Sequence, residues 1–253
     1  MMKIGSTLVA VLLLMIPLVG SAEEAEEGWT FRFSPYAWLL GVSGDMTVNG
    51  ITTDMDTSIS EGLENMRFAG MGRFEAWNGD WGLTLDGLYS DSKADDTFNS
   101  AVGPVTLTTW SELLIVEFGG GYRLGSIPLG EEAGPAAIVF EVLAGGRYAY
   151  NKNKLKGSLG LLDTSGSGDW VAPYIGGRVG IRVDKRWSFI LWGDIGGFGI
   201  GDAPHFIWNA MAVVDFRVSR VISLDLAYRS LDINGSIIDA RYYGPALGAT
   251  FHF

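Results

Sequence analysis

The sequence contains no cysteine, which excludes disulfides and the attachment of lipid to an N-terminal cysteine. Histidine is nearly absent too, with only His205 and His252. Past the first twenty-two residues, no run approaches the roughly 18 apolar residues that a membrane-crossing helix needs. No nucleotide, zinc or haem motif occurs, so no cofactor and no metal site is expected. Basic residues are few: 18 Lys and Arg stand against 29 Asp and Glu, a net charge of −11 that argues against nucleic acid as a partner.

What is present begins with an export signal. Lys3 supplies a positive n-region, Leu8 to Val19 an apolar core, and Gly20-Ser21-Ala22 the small residues of a cleavage site, followed by Glu23, Glu24, Glu26 and Glu27. This predicts a signal peptide over 1–22 and a single mature domain over 23–253. The composition holds 36 glycines and 9 tryptophans. A chain that is exported, glycine-rich, aromatic and without spanning helices is accounted for by a membrane β-barrel. A soluble periplasmic sandwich accounts for only some of these features.

After the leader, one unit repeats: an alternating segment, then a turn or loop. The segments are 29–41, 67–78, 81–92, 105–124, 137–152, 169–184, 187–200, 205–219, 222–233 and 238–253. Each meets the roughly 9–11 residues a tilted barrel strand needs. The fold class expected is all-β: a single transmembrane antiparallel barrel of about ten strands, with 8 or 12 as alternatives. Asn78-Gly79-Asp80, Asp184-Lys185-Arg186 and 218–221 are tight turns, with the linker 125–135 on the same side. The connections 42–66, 93–104, 153–168, 201–204 and 234–237 lie opposite and are mostly longer. Short periplasmic turns and longer outer loops are the outer-membrane arrangement.

Strand parity assigns the faces. Trp29, Phe31, Phe33, Trp81, Leu83, Leu85, Phe140, Val142, Trp187, Phe189 and Leu191 fall on the lipid side. Trp29, Trp81 and Trp187 begin three strands, and the far ends carry Tyr89, Trp110, Tyr148, Tyr150, Trp208, Tyr228 and Tyr243, giving an aromatic girdle at each interface. The opposite parity gathers Arg32, Arg67, Arg73, Arg123, Arg147, Arg178, Arg182, Arg217 and Arg229 with Glu75, Asp86, Glu117, Glu141, Asp194, Asp215 and Asp225 as the charged lumen lining. Charge on the lipid face costs roughly 2–4 kcal/mol at the midplane, so these groups turn inward and pair. Two readings of the array stay open: a narrow polar path for small solutes, or the packed interior that a barrel of this size requires. Glycine pairs such as Gly119-Gly120 and Gly145-Gly146 leave room for long inward side chains or bend the strands.

The first loop is irregular. Residues 45–57 read as a short hairpin about Asn49-Gly50, and Ser58-Ile59-Ser60-Glu61 as a capping box opening a helix over 58–66, either capping the mouth or plugging the lumen. Lys152, Lys154 and Lys156 follow the Tyr148/Tyr150 girdle and suit lipopolysaccharide phosphates, or an ordinary solvated loop.

The last strand alternates from Tyr243 through Leu247 and Phe251 to the terminal Phe253. Together with Trp29, Phe31, Pro35-Tyr36 and Trp38 in the opening strand, it resembles the small porin-like outer-membrane proteins of Gram-negative bacteria. The resemblance implies residence in the outer membrane and contact with its lipid and lipopolysaccharide. It also implies that the assembly machinery reads Tyr243, Phe251 and Phe253. Two functions follow: a narrow passage for small solutes, or a sealed structural barrel binding lipopolysaccharide or a partner through its loops. No catalytic residues are expected. The omptin proteases carry an adjacent Asp-His pair that Asp202 and His205 do not reproduce.

Overall fold

Alternation with apolar residues on one face and charge on the other is satisfied in a membrane by a sheet closed on itself, since closure leaves no backbone group unpaired against hydrocarbon. The computed structural model describes residues 28–48, 51–54, 56–100, 103–129, 136–158, 160, 163–235 and 238–253. The expected signal peptide, the Asn49-Gly50 turn and residues 130–135 of the expected linker lie outside these. In chain order the elements are β1 (Trp29–Trp38), β2 (Gly41–Val48), β3 (Ile51–Asp54), α1 (Ile59–Asn65), β4 (Met66–Asn78), β5 (Trp81–Ser100), β6 (Gly103–Pro128), β7 (Ala137–Gly157), β8 (Asp163–Arg182), β9 (Trp187–Gly197), β10 (Phe206–Arg217), β11 (Ile222–Asn234) and β12 (Ile238–His252).

Antiparallel pairing runs β1-β4-β5 and onward to β12, and β1 pairs back with β12 to close the ring. The seam sets Arg32 against His252 and Phe33 against Phe251, and two backbone hydrogen bonds tie Phe31 to Phe253 (3.1 and 2.9 Å). β2 lies on the same strand as β1: its residues 41–46 face 243–238 of β12, directly beyond the β1 pairing. β1 and β2 are therefore one stave with a kink at Leu39-Leu40, and the barrel has ten staves. The kink exists because β12 turns the corner at Gly244 (φ 145°), where any Cβ would collide with the Leu39 carbonyl. β3 pairs with β2 alone and is the one strand outside the ring.

Two sequence expectations are corrected. Residues 93–104 and 153–168 were assigned to loops, but β5 through β8 continue as paired strands well past the rim. β4 ends opposite Ser92, and β9 ends opposite Tyr174. The outer ends of β5–β8 thus stand as a four-stranded blade, about 25 Å or more along the strands. A hydrocarbon-length criterion stops a strand at the interface, whereas the ladder continues in water wherever cross-strand pairs persist. Thr97 and Thr106 share a hydroxyl hydrogen bond (2.9 Å), and Thr108 donates to Asp95 (2.6 Å).

α1 begins as read. The Ser58 side chain accepts from the Glu61 backbone, and the Glu61 carboxylate accepts from the Ser58 N–H at 2.8 Å. These Ser58 hydrogen bonds hold the Glu61 carboxyl below the usual carboxylate range. No helix residue is buried, and Gly62 packs against the Leu40 carbonyl. The helix therefore caps the rim and does not plug the lumen.

Candidate functional site

Because inward residues are fixed by parity, each stave delivers its charges to the axis, and a ten-stave lumen is narrow enough for opposite walls to meet. Arg147 of β7 reaches Glu117 of β6 (Nε–Oε1 3.1 Å) and Asp194 of β9 (Nη2–Oδ1 2.8 Å). Arg229 of β11 crosses to the same Glu117 oxygen at 2.6 Å and binds Asn209 at 2.9 Å, while Asn209 donates to Asp194 at 2.7 Å. Arg178 of β8 grips Glu75 of β4 through both terminal nitrogens (2.6 and 3.2 Å) and Glu141 of β7 through Nε. Arg73 and Tyr36 both hold Asp86, each at 2.8 Å. Arg147 is 0% exposed. Such a set persists only because every carboxylate has a cation, since one lost partner leaves an uncompensated buried charge.

Aromatic rings fill the space between the charges. Arg73 and Arg178 lie over the Trp192 ring (4.3 and 5.4 Å), Arg123 and Arg178 over Trp77 (4.9 and 5.6 Å), and Arg229 over Trp38 (5.0 Å). The inward glycines serve these rings. A Cβ on Gly121 would meet Trp77 at 2.9 Å, and one on Gly119 would meet the Tyr174 hydroxyl at 2.6 Å.

On the loop side of this network the lumen is apolar. Trp38, Leu88, Ile115, Ile207, Leu231 and Ile233 form a buried cluster with Leu40 and Tyr242. Each of Leu88, Ile115, Ile207 and Leu231 is the next inward residue beyond a member of the polar network, namely Asp86, Glu117, Asn209 and Arg229. The sequence reading concentrated on charge and missed this layer. Its signal was available in the same parity, as large apolar residues at inward positions near the loop ends.

On the turn side the lumen opens into a cavity of about 380 Å³. Arg32, Arg182, Arg217, Asp215, Asp225 and His252 line it, with the β8–β9 turn residues Asp184, Lys185 and Arg186 at its edge. Its apolar wall includes Ile190, Trp192, Met211 and Val213. Asp184 is committed to its own turn: the backbone N–H groups of Arg186 and Trp187 donate to it (2.7 and 2.8 Å) and hold its carboxyl below the usual range.

The remaining predicted residues fall as follows. Arg32 pairs with Glu75 (2.8 Å) and Arg123 with Glu141 (3.5 Å). Arg67 is not in the lumen. It stands at a β-bulge between Met66 and Phe68, is exposed, and pairs with the outward Asp91 at 3.5 Å. The extra residue breaks the period of two on which the inward assignment rested. Trp29, Trp81 and Trp187 are exposed at the turn end, joined by Tyr122 and Phe216, whose rings lie 4.7 Å from Trp81 and Trp187. Tyr89, Tyr148, Tyr150, Trp208, Tyr228 and Tyr243 sit on the outer face toward the other end. Trp110 is four residues beyond Leu114, the partner of Tyr89, and so lies in the blade, between Lys93 (5.8 Å) and Lys154 (5.9 Å). Phe251 and Phe253 form the seam with β1.

His205 lies in the exposed β9–β10 connection. His252 lies 3.0 Å from the Ser223 hydroxyl, but Ser223 is fully buried, and the Arg217 guanidinium stands 3.2 Å from both ring nitrogens. A catalytic imidazole is instead oriented by a carboxylate beside an accessible nucleophile.

No family model and no curated protein matches the sequence. Solved structures of outer-membrane β-barrels are similar in fold. The translocator domain of the autotransporter NalP from Neisseria meningitidis is 15% identical, with 91% of this chain and 90% of that one covered and a TM-score of 0.47. The transport unit of the autotransporter AIDA-I from Escherichia coli is 10% identical, with coverages of 95% and 94% and a TM-score of 0.42. Ail, the attachment invasion locus protein of Yersinia pestis, is 13% identical, with coverages of 90% and 100% and a TM-score of 0.38.

Proposed function

We infer that this protein is an integral outer-membrane barrel with a closed lumen, which meets other molecules at its two ends and passes no solute between them. The observation that carries this reading is Arg147, wholly buried at the axis and bonded to two different staves beneath a continuous apolar layer. Ion conduction needs a wetted path, and an apolar constriction excludes water. The outward belt of Leu83, Leu85, Val142, Leu191, Leu224 and Leu226, bounded by aromatics, supports residence in a bilayer. The test is single-channel recording of the refolded, heat-resistant protein in a planar bilayer. No current steps are expected, and reproducible ion-selective steps would sink the closed-lumen reading.

At the outer end the blade supports contact with lipopolysaccharide. Lys93, Lys152 and Lys154 share one face around Trp110, just beyond the Tyr148/Tyr150 level, with Lys156 following on the same strand. Their own acidic partners, Asp95, Glu112 and Asp163, form solvent-exposed pairs that contribute little. Such pairs exchange readily for phosphate. At roughly 1 kcal/mol per lysine near an anionic surface, Lys156→Ser is expected to weaken lipopolysaccharide binding about fivefold. Substituting Lys152 and Lys154 as well should compound the loss. Equal retention of lipopolysaccharide by the triple variant, measured on purified folded protein, would remove this contact.

A further inference from the structure

The closed lumen leaves the turn-end cavity as a blind pocket, and its chemistry is unbalanced. Inside the network the cations are spent on carboxylates: Arg32 and Arg178 on Glu75, and Arg73 and Arg229 on Asp86. At the edge they are not. Among the described residues, Arg182, Lys185, Arg186 and Arg217 form no salt bridge, although all four line the cavity. Asp184, the nearest acid in sequence, is held by its own turn. Between this edge and the network lies the apolar wall of Ile190, Met211 and Val213.

A second observation comes from the cavity's own lining. Trp192 is 5% exposed, and its indole Nε1–H has no acceptor among the described residues. A buried donor left without an acceptor costs about 1–3 kcal/mol, and its ring is already fixed beneath Arg73 and Arg178. The ring forms part of the cavity wall, so its N–H resonance reports on an occupant. The volume, about 380 Å³, falls within the roughly 300–1,000 Å³ of small-molecule sites.

We propose that the turn-end cavity binds a small organic acid, its carboxylate drawn by Arg182 and Arg217 and its apolar body lying against Ile190, Val213 and Trp192. Asp215 and Asp225, which face each other across β10 and β11, fix the side on which the anion sits. Thr250 donates to Asp225 at 2.6 Å, so this carboxylate is oriented within the wall. Like-charge repulsion keeps an acid off those two carboxylates and favours the cationic edge of the cavity, where Arg182, Arg186 and Arg217 lie.

The test uses the full refolded protein in detergent, with Trp indole N–H resonances observed by NMR and the Trp192 peak assigned through Trp192→Phe. Hexanoate is the probe, acetate the control without an apolar body and hexanol the control without charge. Hexanoate is expected to shift the Trp192 resonance saturably, at concentrations where acetate and hexanol do not. Arg182→Gln and Arg217→Gln, which break no salt bridge and are taken forward as the heat-resistant folded form, should each weaken hexanoate about tenfold, the worth of one charge-assisted hydrogen bond. Asp225→Asn should tighten it severalfold, a gain that general damage to the barrel would not produce. The proposal is overturned if the Trp192 peak does not move. It is equally overturned if acetate or hexanol matches hexanoate, or if the two arginine variants bind as well as the parent.

Discussion

Glu117 accepts from Arg147 and Arg229 through a single oxygen, which makes it the carboxylate on which two buried cations depend. Glu117→Ala is therefore expected to cost about 3–5 kcal/mol, read as a lower urea midpoint for the barrel in lipid vesicles. An unchanged midpoint would mean that the two arginines find other partners. Inward placement of these groups was legible from parity alone, since each is an even number of residues from its inward neighbours. Their pairing was not. Arg178 and Glu75 are 103 residues apart, and Arg229 and Glu117 are 112 apart. Parity gives the face of a strand, whereas height and position around the ring depend on the register of every intervening stave. Arg67 marks the other limit, because one bulge residue inverts the face and carries no composition signal of its own.

At the scale of the element, β12 does most to define the ring, since it pairs with β11 along its whole length and with β1 and then β2 on its other side. Phe253 supplies both the N–H and the carbonyl of the last rung with Phe31. Deleting Phe253 is expected to lower the folded fraction in the outer membrane, measured as the heat-resistant band after expression at constant level. Normal insertion of the truncated chain would show that the rung is dispensable. Strand existence was legible because outward Trp, Phe and Leu alternate with charge or glycine in every stave. Strand length was not, for the blade residues 93–100 and 153–157 carry lysine, aspartate and asparagine that read as loop. They are held in the ladder by Thr–Thr, Thr–Asp and Lys–Trp contacts across strands. The kink at Leu39 was also hidden, because it is set by Gly244, more than two hundred residues away in the chain.

Over the whole molecule, the lumen divides into three levels: a cationic cavity at the turn end, a network of paired charges, and an apolar layer toward the loop end near α1. A chain with net charge −11 keeps a cationic interior edge because much of its acid lies in the run Glu23 to Glu27, the first loop and the blade. The levels are stacked along an axis that no stretch of sequence follows, so each is assembled from staves contributed at intervals through the chain.

The seam between β1 and β12 bears on time as well as on shape. Trp29 opens β1, the first stave in chain order, and the partner on its seam side is β12, the last. β1 can pair with β4 as soon as that stave forms, but its seam edge must wait for β12. Contacts this distant in sequence form slowly, and an unpaired edge is exposed to misassociation throughout the wait. The first strand to arrive is thus the last to be satisfied, and whatever holds it in the interval governs how many chains finish as barrels.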